Sequence, residues 1–322
     1  MIRASLLAAS LAFAPLLASC TGTEPVGYEF MKEEGDGEFG IWVHSGLYNR
    51  EYEVHTPPNL TPGERRPLMI FLHGAGDTGP GFRRRLRADA ATDSKGFITV
   101  WPTGLEGTWT VGCTAPCTFA EALKADDVRF LETLVRRLAV ELPVDTTKVY
   151  LMGYSQGSQL AQLFACRSDL LPAGIGAVAG VIYRTVARDC SPRGPFPVGI
   201  VHGDEDPVFY YGGFGPGAPV MSVPETVDAW RGFMGCGGGP SLEVRPDTVG
   251  DFTSTSIYRF VGCRPGSAVV LYRVHVGGHT WPGDTGPWPQ STGLRTRSVD
   301  ATRELLELFE GVGPRVSSPA GR

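Results

Sequence analysis

The sequence predicts an α/β fold in which helices cover both faces of a mostly parallel central sheet. Two features support this prediction: short apolar segments alternate with segments of helical spacing, and the central apolar segments are continuous. Continuous apolar strands are typical of parallel sheets buried on both faces, and strand–helix alternation is typical of a doubly wound arrangement. We expect one domain and no internal repeat in the 322 residues.

The order of the elements follows from the hydrophobic pattern. Residues 51–55 alternate between polar and apolar side chains, which favours an edge strand. The other predicted strands are 67–72, 97–102, 149–152, 175–182, 197–201 and 268–274. Helices are predicted after Asp126 and after Ser155, over 222–233 and over 301–309, with Gly311 ending the last one. Asp126 and Asp127 lie where the helix dipole favours negative charge, so we interpret them as structural rather than catalytic.

Composition limits the classes of function. Hydrophobic residues make up 42% and charged residues 20% of the chain, which is ordinary for a globular protein with a buried core. The net charge is −5 and there is no basic patch, so nucleic acid is not expected as a partner. Cys113 and Cys117 have no nearby histidine or second cysteine pair, which disfavours a metal site. We expect a monomer with no metal or organic cofactor.

The N-terminus has the pattern of an export signal. Arg3 precedes an apolar run over 4–17 that is too short to span a bilayer comfortably, and Leu-Ala-Ser-Cys closes it at Cys20. This ending resembles a bacterial lipobox, whose cysteine is lipidated; the alternative is a plain secretory signal with Cys20 incidental. We predict a signal peptide over 1–19, a tether over 20–38, a folded domain over 39–311 and a disordered tail over 312–322. The expected location is extracellular, cell-surface or periplasmic, with membrane attachment only through a lipid on Cys20.

Six cysteines remain when Cys20 is set aside. An even number in an exported protein predicts disulfides, here up to three. The sequence leaves 15 pairings open. Proximity along the chain favours Cys113–Cys117, Cys166–Cys190 and Cys236–Cys263.

The most informative motif of the chain lies within residues 148–160. The apolar run 149–152 is followed by Gly-Tyr-Ser-Gln-Gly at 153–157 and then by apolar residues at helical spacing. Strand, sharp turn and helix form the context of a nucleophile elbow, in which Ser155 occupies a strained turn and the Gln156 amide points at developing negative charge. In a chain with 43 glycines, the same five residues can also arise by chance in an ordinary turn.

A histidine and a carboxylate that could serve Ser155 lie downstream, each just after a predicted strand. His279 lies in a glycine-rich loop and is the candidate general base. The other five histidines precede the sheet, end a strand or lie within one: His44, His55, His73, His202 and His275. The acid is left open by the pattern among Asp204, Glu205 and Asp206. Nucleophile, acid, histidine is the order of α/β-hydrolases, so we predict the α/β-hydrolase fold.

The chain resembles the polyhydroxybutyrate depolymerase/feruloyl esterase family of secreted α/β-hydrolases from about residue 50 to residue 309. The resemblance rests on residues 67–74, 126–128 and 144–157, on His-Gly-x-x-Asp-Pro-Val at 202–208, and on Gly-His-Thr-Trp-Pro-Gly at 278–283. It implies Ser155 as the nucleophile, Asp206 as the acid and His279 as the base. It also implies that the Ala75 amide, after His73 and Gly74, completes an oxyanion hole with the Gln156 amide.

Two stretches depart from the family pattern. Gln-Gly-Ser stands at 156–158, where the family often has Asn-Gly-Gly, and Val-Phe-Tyr stands at 208–210, where it often has Val-Pro-Tyr. Both departures bear on the choice of substrate more than on catalysis.

The expected function is hydrolysis of carboxylic esters by a Ser–His–Asp triad through an acyl-enzyme. Candidate substrates are polyhydroxyalkanoates and the feruloyl or acetyl esters of polysaccharides. Trp109, Trp281 and Trp288 fall in loops, where they are expected either to line a substrate cleft or to pack within the loops. Two alternatives stay open: a peptidase on the same fold, and a non-catalytic glycan-binding lipoprotein.

Overall fold

The computed structural model describes residues 39–312 except 46–47, 59, 62, 114–116 and 216–219. Ten strands of the described chain form a single sheet. They are β1 (Phe39–Ser45), β2 (Tyr48–His55), β3 (Arg66–Leu72), β4 (Ile98–Pro102), β5 (Val144–Tyr154), β6 (Gly174–Val178), β7 (Pro197–Gly203), β8 (Pro240–Arg245), β9 (Ser254–Phe260) and β10 (Ala268–His275).

The middle of this sheet is parallel and its margins are antiparallel. The strand order is β1-β2-β4-β3-β5-β6-β7-β10-β9-β8. All neighbours from β4 to β10 pair in parallel, whereas β1 and β2 at one margin and β9 and β8 at the other pair antiparallel. Every residue of β4 and β6 is buried, as continuous apolar strands require. The predicted mostly parallel sheet is confirmed.

Helices cover both faces of the sheet. Within the described ranges they are α1 (Gly79–Leu86), α2 (Asp89–Asp93), α3 (Phe119–Ala122), α4 (Asp127–Glu141), α5 (Gln156–Arg167), α6 (Arg184–Arg188), α7 (Val223–Met234) and α8 (Ala301–Val312). Phe130 of α4, Leu160 of α5 and Trp230 of α7 belong to one apolar core. Phe82 of α1 and Leu305 of α8 belong to a second core. The sheet therefore lies between two helical layers.

The two aspartates at the start of α4 have structural contacts. The Asp126 carboxylate caps the helix by accepting a hydrogen bond from the Arg129 amide. Asp127 is fully buried, where it accepts hydrogen bonds from the Arg50 guanidinium at 2.6 Å and from the Thr110 amide at 2.6 Å. Because a buried carboxylate needs such partners, Asp127 ties the start of α4 to β2 and to the loop after β4.

Some expectations about the elements are wrong. The 51–55 segment is not an edge strand, because β1 pairs along the outer side of β2. β6 ends at Val178 rather than at 182, because Ala179 has a φ of 51° that turns the chain out of the sheet. The β8–β9 hairpin was not expected, although the side chains of β8 alternate between apolar and polar; this strand is exposed along almost its whole length. α8 continues through Gly311 to Val312, where glycine in a last helical turn costs little.

Three disulfides join Cys113 to Cys117, Cys166 to Cys190 and Cys236 to Cys263, the pairing that proximity along the chain favoured. The two longer links close segments of 24 and 27 residues. Closing a loop of that length in the unfolded chain contributes roughly 3 kcal/mol to stability. Disulfides persist in oxidising compartments, so these three are consistent with export.

Several predictions fall on residues outside the described ranges. They concern the signal peptide over 1–19, Cys20, the tether over 20–38 and the tail beyond Val312. Of the helices that are described, none has the length and apolar character needed to cross a bilayer.

Candidate active site

Ser155 lies at the sharp turn between β5 and α5. Its φ of 54° and ψ of −117° are rarely adopted by residues other than glycine. A Cβ added at Gly153 would lie 2.1 Å from the Gly157 carbonyl oxygen, and one added at Gly157 would lie 2.1 Å from the Leu72 carbonyl oxygen. Only glycine fits at both positions, because the helix leaves the turn directly across β5 and β3. The strained serine and its flanking glycines have the geometry of a nucleophile elbow.

Three polar side chains meet at the carboxyl edge of the sheet. His279 Nε2 lies 2.9 Å from Ser155 Oγ, and His279 Nδ1 lies 2.8 Å from Asp206 Oδ2. These residues follow β5, β7 and β10, and all three are at least nine-tenths buried. An ionised carboxylate only accepts hydrogen bonds, so His279 Nδ1 carries the proton and Nε2 can accept the Ser155 hydroxyl. This arrangement can deprotonate Ser155 as it attacks an electrophile.

The Asp206 carboxylate is held in the ionised state. Its Oδ1 accepts hydrogen bonds from the Val208 and Phe209 amides at 2.8 and 2.9 Å. Burial would raise the pKa of Asp206, but the hydrogen bond from His279 and the favourable electrostatic interactions with the His279 and His202 rings outweigh it and lower the pKa. An ionised Asp206 can orient His279 and stabilise its protonated form.

The structure distinguishes the three acids that the sequence pattern left open. Only Asp206 of the three bonds His279. Asp204 Oδ2 instead lies 2.9 Å from His275 Nδ1 and 2.9 Å from an Arg273 nitrogen. Glu205 contributes its amide, which donates to the Gly277 carbonyl at 3.0 Å. Asp204 and Asp206 therefore bond different histidines, although they are two residues apart.

The backbone of His279 is fastened on two sides. Its amide donates to the Thr292 carbonyl at 2.6 Å, and its own carbonyl accepts a hydrogen bond from the Tyr154 hydroxyl at 2.8 Å. Burial raises the pKa of Tyr154, which keeps this hydroxyl protonated as a donor. The rings of Tyr154 and Phe209 lie 5.1 and 5.9 Å from the imidazole. Sequence analysis did not single out Tyr154, although its place beside Ser155 in the motif was a visible signal.

Two backbone amides next to Ser155 could bind an oxyanion. Gln156 is the first residue of α5, so helical geometry leaves its amide without an intrahelical acceptor. A Cβ added at Gly74 would lie 3.3 Å from Ser155 Cβ, which places the 73–77 turn against the elbow. Ala75 in that turn is exposed, and its amide has no acceptor among the residues that the structure describes.

His73 supports this turn as a neutral imidazole. Its Nδ1 donates to the Gly74 carbonyl at 2.7 Å, and its Nε2 accepts from the Gly104 amide at 2.8 Å. Burial lowers the pKa of His73 to about 4, so the ring stays uncharged at neutral pH. His73 therefore fixes the position of the turn and is too enclosed to act as a base.

Two of the remaining histidines, His55 and His202, also have their own partners. His55 pairs with Asp93 at 2.8 Å, and His202 donates to the Phe209 carbonyl at 2.8 Å. Burial lowers the pKa of His202, so this residue holds the loop after β7 as a neutral ring. His44 lies in β1.

Of the two roles expected for the three tryptophans, lining a cleft is wrong for two of them, which pack in the interior instead. Trp109 is fully buried, and its indole N–H donates to the His73 carbonyl at 2.9 Å. Trp281 is also buried, donates to Thr302 Oγ1 at 3.1 Å and packs on Phe82. Both indoles hold loops to the core, as buried tryptophans with a satisfied N–H do. Trp288 alone is partly exposed, with its ring 4.9 Å from the Tyr154 ring.

An exposed aromatic pair was missed by sequence analysis. Tyr210 and Phe214 are 50% and 72% exposed, and their rings stack with centroids 6.0 Å apart. The pair is held by a turn in which the Tyr210 amide donates to the Phe214 carbonyl at 2.8 Å. It begins directly after Phe209, whose ring packs near His279. The only sequence signal was the replacement of Pro by Phe at position 209.

Within the described residues no group of three histidine, cysteine or acidic side chains is placed to hold a metal ion.

Comparison with known proteins identifies the family. The family model described as Esterase PHB depolymerase matches residues 50–208. The chain is 30% identical over 276 residues to "Putative esterase NocK" of Nocardia uniformis subsp. tsuyamanensis, covering 81% of this chain and 79% of that protein. The chain belongs to the esterase PHB depolymerase family. It is a carboxylic ester hydrolase, as the resemblance implied.

Two further relatives extend the comparison. Feruloyl esterase B of Piromyces equi is 25% identical over 242 residues, which cover 71% of this chain but 42% of that protein. The aligned part of this chain therefore spans less than half of the Piromyces enzyme. The solved structure of an acetyl xylan esterase from Aspergillus awamori has a TM-score of 0.52 at 16% identity and covers 74% of this chain and 90% of that chain. That likeness confirms the α/β-hydrolase fold.

Proposed function

We propose that this chain is an exported serine esterase that cleaves carboxylic esters with Ser155, His279 and Asp206 through an acyl-enzyme. The observation that carries the proposal is the continuous line of hydrogen bonds from Ser155 Oγ through both nitrogens of His279 to Asp206 Oδ2. The elbow at Ser155 supports it, because a strained serine at a helix N-terminus is presented to a bound ester. Membership of an esterase family supports the choice of ester over amide.

Acylation uses the groups already in contact. Ser155 Oγ bonds to the ester carbonyl carbon while His279 Nε2 takes the hydroxyl proton, and Asp206 stabilises the imidazolium. The carbonyl oxygen becomes an oxyanion that accepts hydrogen bonds from the Gln156 and Ala75 amides, each of which can lower the barrier by about 3 kcal/mol. The intermediate then releases the alcohol, which takes the proton from His279, and leaves an acyl group on Ser155.

Deacylation repeats these steps with water. His279 Nε2 takes a proton from the water as its oxygen bonds to the acyl carbon, and the same two amides bind the second oxyanion. The bond to Ser155 Oγ then breaks, and Oγ takes the proton back from His279. The products are a carboxylic acid and the free enzyme.

The proposed substrates are polyhydroxyalkanoates or the feruloyl and acetyl esters of polysaccharides. The names of the family and of its feruloyl and acetyl xylan esterase relatives support these classes. Trp288, Tyr210 and Phe214 are aromatic side chains near the site that reach solvent, and flat apolar rings suit both sugar faces and aryl groups.

The test of the proposed function is ester hydrolysis by the purified protein and by its Ser155→Ala variant. We expect the wild-type protein to hydrolyse p-nitrophenyl acetate with a burst of p-nitrophenol equal to the enzyme concentration, and the variant to show neither burst nor turnover. Equal rates for both proteins would refute the triad. Glycan binding without turnover by the wild-type protein would favour the non-catalytic alternative, and cleavage of blocked peptides faster than esters would favour the peptidase.

A substrate panel then separates the proposed classes. Methyl ferulate, acetylated xylan and polyhydroxybutyrate film should be compared at equal enzyme concentration, with Ser155→Ala as the blank for each. Trp288→Ala and the double variant Tyr210→Ala/Phe214→Ala should raise KM for the preferred substrate while leaving the rate on p-nitrophenyl acetate within about twofold, because stacking acts on binding.

Export and attachment belong to the same proposal. Residues 1–19 act as a signal peptide, Cys20 is lipidated, 20–38 form a tether, and one catalytic domain follows as a monomer. Labelled palmitate should enter the wild-type protein but not Cys20→Ser, and the Cys20→Ser variant should be recovered as soluble protein. Light scattering after size exclusion should give the mass of one chain.

A further inference from the structure

A second serine–histidine–aspartate line runs beside the first. Ser256 Oγ lies 2.8 Å from His275 Nε2, and His275 Nδ1 lies 2.9 Å from Asp204 Oδ2. The order of atoms is the same as in the line from Ser155 to Asp206. Asp204 is two residues before Asp206, and His275 is four residues before His279. We define Asp204, Arg273, His275 and Ser256 as the clasp.

The clasp lacks what a nucleophile site needs. Ser256 lies in the ladder of β9, paired with Arg273 on one side and Val244 on the other, so it has no elbow and no helix N-terminus behind it. Arg273 donates to Asp204 Oδ2 through Nε at 3.0 Å and approaches it through a terminal nitrogen at 2.9 Å. This cation neutralises the carboxylate that would otherwise support a protonated His275.

Asp204 instead links the loop after β7, which carries Asp206, to the loop after β10, which carries His279. Its Oδ1 accepts a hydrogen bond from the Val276 amide at 2.7 Å, and its own amide donates to the Val274 carbonyl at 2.9 Å. Val276 has a φ of 59°, an unfavourable value for a β-branched residue that this contact helps to hold. The next residue adds a link, because the Glu205 amide donates to the Gly277 carbonyl at 3.0 Å.

The rest of the clasp holds Asp204 itself. Arg273 and His275 belong to β10, and Ser256 to β9, so the carboxylate is anchored to two adjacent strands of the sheet. The Asp204 side chain is 14% exposed, Ser256 is 6% exposed and His275 is 31% exposed. The Arg273 side chain is 35% exposed, so the clasp is shielded from water at Asp204 and Ser256 and reaches it at Arg273 and His275. Its hydrogen bonds can fix both loops relative to the sheet.

We propose that Asp204 is a positioning residue for ester hydrolysis, setting the distance between the Asp206 carboxylate and the His279 imidazole. This inference rests on the proposed function of Ser155, His279 and Asp206. Asp204 touches neither the substrate nor the reacting atoms; it acts through the 276–279 segment, which leads directly to His279. The other side of that segment is fixed by the Thr292 and Leu294 carbonyls, which accept from the His279 and Gly278 amides at 2.6 and 2.7 Å.

The test compares Asp204→Ala and Asp204→Asn with wild type on p-nitrophenyl acetate, at a temperature well below each melting point. Asp204→Ala should lower kcat about 50-fold and leave KM within about threefold, since misplacing a catalytic group by about 1 Å costs up to roughly 100-fold in rate. Asp204→Asn keeps an oxygen for the Val276 amide but turns a donor toward Arg273 and His275, and should lower kcat about tenfold. Inactivation by a fluorophosphonate should slow in the same proportion, because it too requires His279 to activate Ser155.

Asp251→Ala provides the matched control. Asp251 is a partly buried carboxylate in the loop before β9 that accepts hydrogen bonds from the Arg297 amide at 2.6 Å and from Thr253, not from the 276–279 segment. It should lower the melting temperature while leaving kcat within about twofold. An equal fall in kcat for Asp251→Ala and Asp204→Ala would mean general loosening and would overturn the proposal.

The outcomes separate this inference from the proposed function. If Ser155→Ala abolishes turnover and Asp204→Asn keeps kcat within about twofold of wild type, the clasp does not position His279 but the triad stands. If Asp204→Ala fails to fold, Asp204→Asn decides alone. If Ser155→Ala retains the wild-type rate, the proposed function fails first, and a tenfold loss in Asp204→Asn could no longer be assigned to His279.

Discussion

Ser155–His279–Asp206 and Ser256–His275–Asp204 have the same order of hydrogen bonds in two different backbones. In the first, the serine occupies a strained turn at the start of α5, and the carboxylate is paired with His279 and His202. In the second, the serine belongs to a strand ladder, and an arginine shares the carboxylate. The same order of hydrogen bonds therefore does not by itself make a serine nucleophilic. Backbone amides near the serine, and a carboxylate paired with histidines rather than with an arginine, separate the proposed active site from the clasp.

The largest expected difference between the two sets of residues is in the loss of kcat/KM when each serine is replaced. Ser155→Ala should lower kcat/KM at least about 10⁴-fold, whereas Ser256→Ala should lower it no more than about fivefold. Rates of ester hydrolysis give kcat/KM for each variant, and peptide mapping after fluorophosphonate labelling identifies the serine that is labelled. An adduct on Ser256 in the wild-type protein would show that the strand serine is also activated. It would contradict the difference between Ser155 as a nucleophile and Ser256 as a structural residue.

The carboxylates should differ by a smaller factor. Asp206→Asn should lower kcat about 10³-fold or more, because the amide can favour the wrong tautomer of His279 and cannot stabilise its charged form. The loss should exceed that of Asp204→Asn by about 100-fold. Steady-state kinetics on p-nitrophenyl acetate, with circular dichroism to check folding, give both numbers. Equal losses would assign equivalent roles to the two acids.

A third difference concerns His73, which lies near Ser155 and is buried and neutral. Its pKa of about 4 in the folded protein lies below the ordinary value of 6.5, so protonation favours the unfolded chain. The stability from His73 is present above pH 6.5 and is lost as pH falls toward 4, by up to about 3 kcal/mol. Urea unfolding at pH 7.0, 5.5 and 4.5 should show a steeper loss for wild type than for His73→Asn. Parallel curves would contradict a neutral His73.

The smallest expected effect is on stability, at Gly157 in the turn that follows Ser155; Ser256 has no such turn. Gly157→Ala forces a Cβ to within 2.1 Å of the Leu72 carbonyl and should cost about 2 kcal/mol, lowering Tm by roughly 4–8 °C. Gly239→Ala, where the new Cβ meets nothing within 4 Å, is the control and should change Tm by no more than about 2 °C. Differential scanning calorimetry compares them. An unchanged Tm for Gly157→Ala would show that the turn can relax without cost.

Much of this arrangement could be predicted because it is local in the sequence. Gly-Tyr-Ser-Gln-Gly between an apolar run and a helical pattern predicts its own turn, since the close approach of strand and helix requires glycine at fixed spacing. The cysteine pairs were likewise favoured by short separations. The tryptophans were not predictable in this way. Trp109 and Trp281 carry no local sign of burial, because their indoles are covered by loops and helices distant in the chain.

The sequence by itself determined the elbow at Ser155, the candidate histidine, three possible acids and an even set of six cysteines. Only the tertiary structure decided which acid faces His279, which histidine Asp204 holds, and that two tryptophans lie in the core. The physical reason is distance along the chain. A turn depends on neighbouring residues, whereas the bonds of His279 to Ser155 and Asp206 span 124 and 73 residues and exist only once β5, β7 and β10 lie in one sheet.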